Sequence, residues 1–500
     1  MDRPLKIAIV GGGLSGLATG VHLQLLAESR STPIQLTLFE SSPRIGGVIH
    51  TERIIDPAGE VFIVDHGADM FATQPPAALD LCRALGVEDH LQRPQPEGRG
   101  AMIARGNRLI PIPEGFVLMR PTKLLSMLTT PLLSPAGKLR LIAERFIRPR
   151  DPALTDESVG SFVTRRLGSE CLNNIVAPLV AGIYTADVHR LSMAATMKPI
   201  WDMEARDGSL ARATLRRTRT GEDSTERGSS GARYEQFRAF PGGMIELIET
   251  LANKIRRENI RLDCPIESLN QTNEGIAVIP SSSAHDQHVF DHVVLATPAT
   301  ITAKLLVTMQ ATLHDETQSN CIETIVSNLQ SITYASTAIV VMAVPRNRVS
   351  RLPRTFGFVV PPSERRSVLA GSFASEKFFG RAPQSHVIIR AFVGGALHPE
   401  TLDKRDDEIV EIVATELGDM IGLDAATSVT EYAAFVRVVR WNNAMPQYQV
   451  GHLEIASAIR SAMQQLSRIE LATNAIDGVG IAPVIANAER TAKHILGTYR

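Results

Sequence analysis

An α/β fold is predicted for this 500-residue chain, with a Rossmann-like dinucleotide-binding domain at its head. Three observations predict it. Leu5–Val10 (LKIAIV) is the short apolar run of a parallel strand buried on both faces. Glycines follow at once and open Leu14–Glu28, whose apolar residues recur at helical spacing. Ile34–Glu40 (IQLTLFE) then alternates as a second strand, which completes a βαβ unit.

The glycine turn carries the first chemistry. Gly11-Gly12-Gly13-Leu14-Ser15-Gly16 contains G-x-G-x-x-G at Gly11, Gly13 and Gly16. One glycine makes the tight turn, the next lets backbone approach a pyrophosphate, and the third lets helix and strand pack closely. The N–H groups of Leu14 and Ser15 then meet the anion at the positive end of the helix dipole. Glu40, at the end of the second strand, is placed to accept hydrogen bonds from a ribose 2′-OH. A bound dinucleotide is expected.

Composition narrows the class. Apolar residues make up 44% and charged residues 21%, as in ordinary globular proteins, and the length suits about three domain-sized units. A net charge of -1 supplies no global field, so no nucleic-acid partner is expected. Cys82, Cys171, Cys264 and Cys321 form no C-x-x-C pair, which argues against a zinc site and suits buried thiols of a reducing compartment. The N-terminus runs straight into a strand and no apolar run reaches about 18 residues, so a cytoplasmic protein without a spanning helix is expected.

Further along, Pro75 to Met203 reads as mostly helical, and Asp207–Arg233 is polar without an apolar period. Met244–Arg257 reads as a helix and Val293–Ala296 as another buried strand. Tyr334–Val344, Phe356–Val360 and Val387–Val393 suggest a mostly antiparallel sheet. Asp406–Ile421 and Leu453–Leu466 read as helices, and the chain closes with a strand, a glycine turn and a helix.

Which dinucleotide is bound follows from the next segment. After Glu40 come Ser41-Ser42-Pro43 and then Arg44-Ile45-Gly46-Gly47. This E-x-x-x-R-x-G-G pattern resembles the amine oxidase and protoporphyrinogen oxidase superfamily of flavoproteins. The resemblance implies FAD in a GR2-type Rossmann-like domain, with Arg44, Gly46 and Gly47 close to the pyrophosphate and flavin. Phe240–Met244 (FPGGM) is similar to the turn leading back into that domain. Cys264-Pro265-Ile266 is similar to the strand whose backbone, at Ile266, meets the adenine, and Asp291–Pro298 to the strand and turn after it. Leu471–Val484 resembles the closing flavin segment, whose backbone near Gly480 and Ile481 would approach the isoalloxazine. This copy departs from the pattern, with Thr473-Asn474 where many relatives have Gly-Asn and Pro483-Val484 where they have Asp-Cys, so only backbone contacts transfer.

The middle of the chain narrows the chemistry. Leu109–Gly115 (LIPIPEG) and Ala177–Ser192 (APLVAGIYTADVHRLS) resemble protoporphyrinogen oxidases, as do His66–Phe71, Phe356–Phe358, Phe392–Ala396 and Pro446–Tyr448 in the right order. The implied reaction is an FAD-dependent, oxygen-linked, six-electron oxidation of a porphyrinogen in heme biosynthesis. It would run as three hydride transfers from a meso carbon to the flavin, each with loss of a pyrrole N–H proton. Oxygen would reoxidise the flavin and leave hydrogen peroxide. Protoporphyrinogen IX and coproporphyrinogen III both remain open as substrates. The sequence offers no obvious His–Asp pair as a base, and the scheme does not require one.

The resemblance also implies roles. Gly182 would set a backbone carbonyl against the macrocycle's N–H groups, and Asp69 matches a polar position near it. Arg99 would meet a propionate, while Val360 and Phe392 would form the apolar walls of a sandwich. The implied partners are the porphyrinogen, molecular oxygen and the next heme-pathway enzyme. The implied organisation is an FAD-binding domain in three parts (1–75, 233–300, 466–500), a helical domain at 76–205, a polar linker at 206–232 and a substrate-binding α+β sheet domain at 301–465.

Rivals stay in view. Amine oxidation is disfavoured by only two Trp and six Tyr, by no cysteine after Cys321, and by no lysine between Glu323 and Val360. A carotenoid-type desaturase shares the N-terminal motif but not the Gly182–Ser192 string. A non-catalytic FAD-binding protein is the reading from another class. Finally, Phe116–Arg150 joins FVLM and LLSMLTTPLL to seven Lys/Arg and one acid, Glu144. Such a pattern suits a helix lying on an anionic bilayer, so the helical domain is expected to face a membrane surface.

Overall fold

A computed structural model describes residues 3–97, 100–117, 120–220, 236–281 and 288–497. Its opening unit is strand β1 (Leu5–Val10), helix α1 (Leu14–Arg30) and strand β2 (Ile34–Phe39). The helix forms because Leu14, Leu17, Ala18 and Val21 recur on one buried stripe. It stops at Ser31, which turns left-handed at φ 53°. Its buried stripe belongs to one core with the helices Ile245–Ile255 and Ile481–Gly497.

β1 lies between β2 and the strand His292–Leu295, and all three run parallel. Ile260–Arg261 and Ile469–Leu471 extend the sheet's two edges, also in parallel. The chain leaves β1 to one side for β2 and returns on the other at His292. Such a switch in strand order opens a crevice beyond the carboxyl ends of the strands.

The second sheet has seven strands, in the order Phe435–Pro446, Tyr334–Pro345, His386–Gly394, Val368–Phe373, Gly357–Val359, Ala101–Arg105, Arg108–Pro111. All neighbours are antiparallel except Gly357–Val359 against Ala101–Arg105. One face, with Val340, Ile389, Ala391 and Val393, packs in a core with the helix Asp406–Ile421. The opposite face, with Ile339, Val341, Ile388 and Phe392, meets Phe62 and Val64. Those two belong to β4 (Val61–Asp65), the partner of β3 (Thr51–Ile55), so the inner face of the sheet turns toward the nucleotide-binding half.

Three sequence expectations shift. The stretch 76–205 is not wholly helical, because Met102–Arg105 and Arg108–Pro111 pair as a hairpin around Gly106 and join the large sheet. The polar stretch 206–232 holds a helix, Leu210–Arg219. The weak apolar period there is offset by its capping: the buried Glu144 accepts from Ser209 Oγ and from the N–H groups of Leu210 and Ala211. Within 301–465, helices Ala299–Gln310, Glu316–Ser331 and His452–Met463 do not join the sheet domain but share a core with Ala8, Val10 and Phe39. A parallel sheet needs both faces covered, and these helices cover the second one.

Candidate active site

The glycine turn divides its labour between closing the fold and leaving space. Gly11 has φ +112°, and a Cβ there would lie 2.6 Å from the Ala296 oxygen. A Cβ on Gly16 would lie 1.9 Å from the Gly11 oxygen. Gly13 differs: its φ of -73° suits any residue, yet a Cβ there meets nothing within 4 Å. That opening is the crevice. Gly13 is also the N-cap of α1, no side chain caps it and no acid occupies the first turn, so the N–H groups beginning at Leu14 and Ser15 suit an anion. The Ser15 hydroxyl itself donates to the Ala472 carbonyl.

The other expected cofactor residues gather at the same edge. Glu40 Oε2 accepts from the Gly12 N–H at 2.7 Å and Oε1 from the Ser42 N–H at 2.8 Å, which fixes the carboxylate while leaving lone pairs for a hydroxyl donor. The Gly46 N–H donates to the Gly12 carbonyl at 2.8 Å, and Gly47 is so near that its Cβ would lie 3.4 Å from Gly13 Cα. Arg44 is exposed and donates to the Gly47 carbonyl at 2.8 Å. The Cys264 N–H donates to the Glu40 carbonyl at 2.9 Å, two residues before Ile266. Ala472 N–H bonds the Leu295 carbonyl at 2.9 Å, and Gly480 leads directly into the helix that starts at Ile481. Bare N–H groups, room at Gly13 and one oriented carboxylate fit a pyrophosphate flanked by a ribose, the ADP part of FAD.

On the substrate side, Gly182 lies in the last turn of the helix Ala177–Tyr184. A Cβ on it would lie 3.0 Å from Val359 Cγ1 and 3.5 Å from Ala370 Cβ, so the helix end presses on the sheet with no side chain between. Gln447 donates to the Tyr184 carbonyl at 3.3 Å, and the Tyr448 hydroxyl donates to the Asn474 carbonyl, which ties this helix end to the closing segment. Val359, Ala370 and Phe392 are cross-strand partners and therefore share one face. Val360 does not join them. It packs on the opposite face, toward the Asp406–Ile421 helix, because one step along a strand reverses the side chain. The residues that meet Gly182 are Val359 and Ala370, whereas Val360, expected beside the macrocycle, faces the other way. Arg99 lies outside the described residues.

Asp69 is buried and closed off. Its Oδ2 meets Lys377 Nζ and Arg390 Nη1, each at 2.9 Å. Burial would push its carboxyl up, but Lys377 and Arg390 outweigh that and hold it well below the carboxylate range. A carboxylate so paired is no proton acceptor, so Asp69, expected as a polar group near the macrocycle, serves here as the ion-pair partner of Lys377 and Arg390. Beside it, Arg381 pairs with Asp65 at 3.1 Å, and Asp65 accepts the Met244 N–H at 2.9 Å. Arg390 also donates to the Gly67 carbonyl. This cluster joins the nucleotide half to the sheet.

Sequence reasoning missed Lys377, Arg381 and Arg390, although an arginine in the middle of the apolar HVIIRAFVG strand is a signal of a buried pair. It also missed two histidines. His50 Nδ1 and His66 Nδ1 lie 3.1 Å apart, His66 Nε2 lies 3.1 Å from Glu52 Oε2, and Arg437 Nη2 reaches Glu52 Oε1 at 3.2 Å.

The comparison with known proteins decides the family. Residues 14–496 match the family described as flavin containing amine oxidoreductase. The chain belongs to that family. It is an FAD-dependent oxidoreductase. Family membership sets the cofactor and the scaffold, while the substrate depends on the site. The chain is 27% identical to the coproporphyrinogen III oxidase of Bacillus subtilis (strain 168), over 97% of its own length and 96% of the relative's. It is 25% identical to protoporphyrinogen oxidase 2, chloroplastic/mitochondrial, of Arabidopsis thaliana, covering 98% and 94%. A crystal structure from Exiguobacterium sp. 255-15, provisionally named a protoporphyrinogen oxidase, superposes with a TM-score of 0.78 at 25% identity over 99% of both chains. Cyclohexylamine oxidase from Brevibacterium oxydans IH-35A shares the fold, with a TM-score of 0.65 at 15% identity over 99% of this chain and all of that one.

Proposed function

We propose that this enzyme removes six electrons from a porphyrinogen, protoporphyrinogen IX or coproporphyrinogen III, as a step of heme synthesis. The observation that carries the reading is the bare Gly182 turn set against the Val359–Ala370–Phe392 face. A flexible macrocycle with inward N–H groups needs apolar surface and a backbone acceptor without a side chain in the way, and the resemblance of Ala177–Ser192 to protoporphyrinogen oxidases supports that role for the end of this helix. The names of the two curated relatives point the same way.

FAD, when bound, supplies the two-electron acceptor. The residues present do the rest. Leu14 and Ser15 N–H groups, Gly13, Gly46, Gly47 and Glu40 hold the ADP part, with Ile266 toward the adenine and Gly480–Ile481 toward the ring system. Gly182 accepts from the macrocycle's N–H groups, and Val359 and Phe392 give it an apolar, dry surface, so orientation is the main contribution. Molecular oxygen regenerates the oxidised enzyme and leaves hydrogen peroxide.

The reading extends to a membrane surface. Leu125, Leu139 and Phe146 are exposed at 74%, 68% and 74%, beside the exposed Arg145 and Arg148. The one acid of the stretch, Glu144, is turned inward onto Arg166. Exposed apolar side chains with arginine beside them, as Arg145 over Phe146, suit peripheral binding to anionic lipid. No helix among the described residues is long and apolar enough to cross a membrane.

The test is to load the purified enzyme with FAD and add each porphyrinogen aerobically, following porphyrin fluorescence and peroxide. We expect one macrocycle to be turned over with a higher kcat/KM and three peroxides to form per porphyrin. Oxidation of primary amines with neither macrocycle touched would keep the family and remove the proposed function.

A further inference from the structure

The segment that follows the R-x-G-G loop carries a hydrogen-bonded row of groups that the proposed reaction has not yet used. His50 stands three residues beyond Gly47, with Val48 between them 51% exposed. The His66 N–H donates to the His50 carbonyl at 2.8 Å, and Gly67 beside it abuts Trp441 on the inner face of the large sheet. The row therefore lies where the nucleotide half meets the substrate sheet. It runs His50, His66, Glu52, Arg437, and both rings are half-buried, with centroids 4.7 Å apart.

Its protons are dictated by its partners. Burial would raise the Glu52 carboxyl, but its bonds to Arg437 and His66 outweigh that and lower it, so it is ionised and only accepts. His66 must then carry its proton on Nε2, facing Glu52. A neutral His66 has its lone pair on Nδ1, so His50 must carry its own proton on Nδ1 to make the 3.1 Å contact. That leaves the lone pair of His50 on Nε2, for which no partner is found among the described residues. The row ends in a base.

We propose that His50 Nε2 accepts the pyrrole proton shed in each two-electron oxidation, with His66 and Glu52 as the relay that carries it away. In each turn the meso C–H bond breaks, and its hydrogen leaves as hydride to the flavin oxidant. The pyrrole N–H bond breaks, its electron pair enters the new C=N bond, and its proton binds His50 Nε2. His50 passes its Nδ1 proton to His66 Nδ1, and the charge rests on an imidazolium hydrogen-bonded to Glu52. Glu52 is 30% exposed on its side chain, so the proton can leave to water there. One proton enters and one leaves, and both rings are left in the opposite tautomer, so ring rotation or exchange with water at Glu52 restores His50 Nδ1–H and His66 Nε2–H before the next turn.

The surroundings keep the base ready. Burial first, then His66 and Arg44, lower the His50 pKa against the opposing pull of Glu52. Burial also lowers His66, opposed by Glu52 and reinforced by Arg390 and Arg437. Both rings are neutral at neutral pH and gain protons only as pH falls below the ordinary value of 6.5. Activity should therefore show an acidic limb below that value and a plateau above it.

The inference rests on the porphyrinogen reading, and the experiment separates the two. The FAD-loaded wild type and the variants His50→Gln, His66→Gln and Glu52→Gln are assayed for porphyrin formation against pH. His50→Gln is expected to lower kcat by about 10²-fold and to abolish the acidic limb. Glu52→Gln is expected to move that limb to lower pH, because the anion that stabilises the His66 imidazolium is gone. Nitrogen-15 NMR of the histidines in the same FAD-loaded protein, assigned by difference from the two histidine variants, is expected to show the Nδ1–H form for His50 and Nε2–H for His66. A wild type that forms no porphyrin defeats the functional reading and the relay with it. A wild type that turns over while His50→Gln keeps its rate and its limb overturns the relay alone, as does a His50 ring protonated on Nε2.

Discussion

Gly13 and Gly16 stand three positions apart in one motif, yet substitution should part them. At Gly16 a methyl group would sit 1.9 Å from the Gly11 oxygen, so Gly16→Ala is expected to lose at least about 1–3 kcal/mol of stability, read from a denaturant melt. At Gly13 a side chain has room in the protein but stands where the pyrophosphate goes. Gly13→Val should therefore fold with an unchanged apoprotein melt and fail to hold FAD, measured by flavin absorbance after gel filtration. The buried ion cluster gives another residue-level outcome. Asp69→Asn strands Lys377 and Arg390 and should cost about 3–5 kcal/mol. Because the Asp69 carboxyl is held below its ordinary 3.8, its stabilisation is complete above that pH and is lost as pH falls further. A wild-type acid melt that Asp69→Asn leaves unchanged would contradict this. The glycines were legible in the sequence because the motif is local. The pairing of Asp69 with Lys377 and Arg390 was not, since some three hundred residues separate Asp69 from its partners.

At the scale of elements, strand parity explains the one displaced site residue. Phe356–Val360 was readable as a strand, but which of Val359 and Val360 shares the face of Phe392 depends on register with Ala370 and Phe392. Register is a property of the paired sheet, and a single run of apolar residues does not contain it. The helix end at Gly182 depends on the same face. Gly182→Ala places a methyl 3.0 Å from Val359 Cγ1, which should push helix and wall apart and lower porphyrin formation by roughly 10²-fold while FAD stays bound. An unchanged rate would remove Gly182 from the site. Within Phe116–Arg150, the exposed Leu125, Leu139 and Phe146 make the proposed lipid-facing role testable. Replacing those three by serine should abolish cosedimentation with anionic vesicles at low salt. A wild type that does not sediment with them would end the membrane reading.

For the whole molecule, the nucleotide half was legible nearly strand by strand, since β1, α1 and β2 announce themselves by period and by glycine. The division of labour between halves was less so. Helices 299–331 and 452–463 lie in the sequence on either side of the sheet strands but complete the core under β1, a placement set by the need to cover a parallel sheet. The crevice and the inner face of the large sheet are thereby brought to one junction, held by Asp69, Arg390 and Gly67. On the proposed reading, the molecule takes electrons across that junction from a flexible, N–H-lined macrocycle. The direct measurement is anaerobic mixing of the FAD-loaded enzyme with protoporphyrinogen IX or coproporphyrinogen III while the flavin band and porphyrin fluorescence are followed together. Bleaching of the flavin with porphyrin appearing in step, one per three flavins reduced, is the predicted result. A flavin that stays yellow with both macrocycles would contradict it.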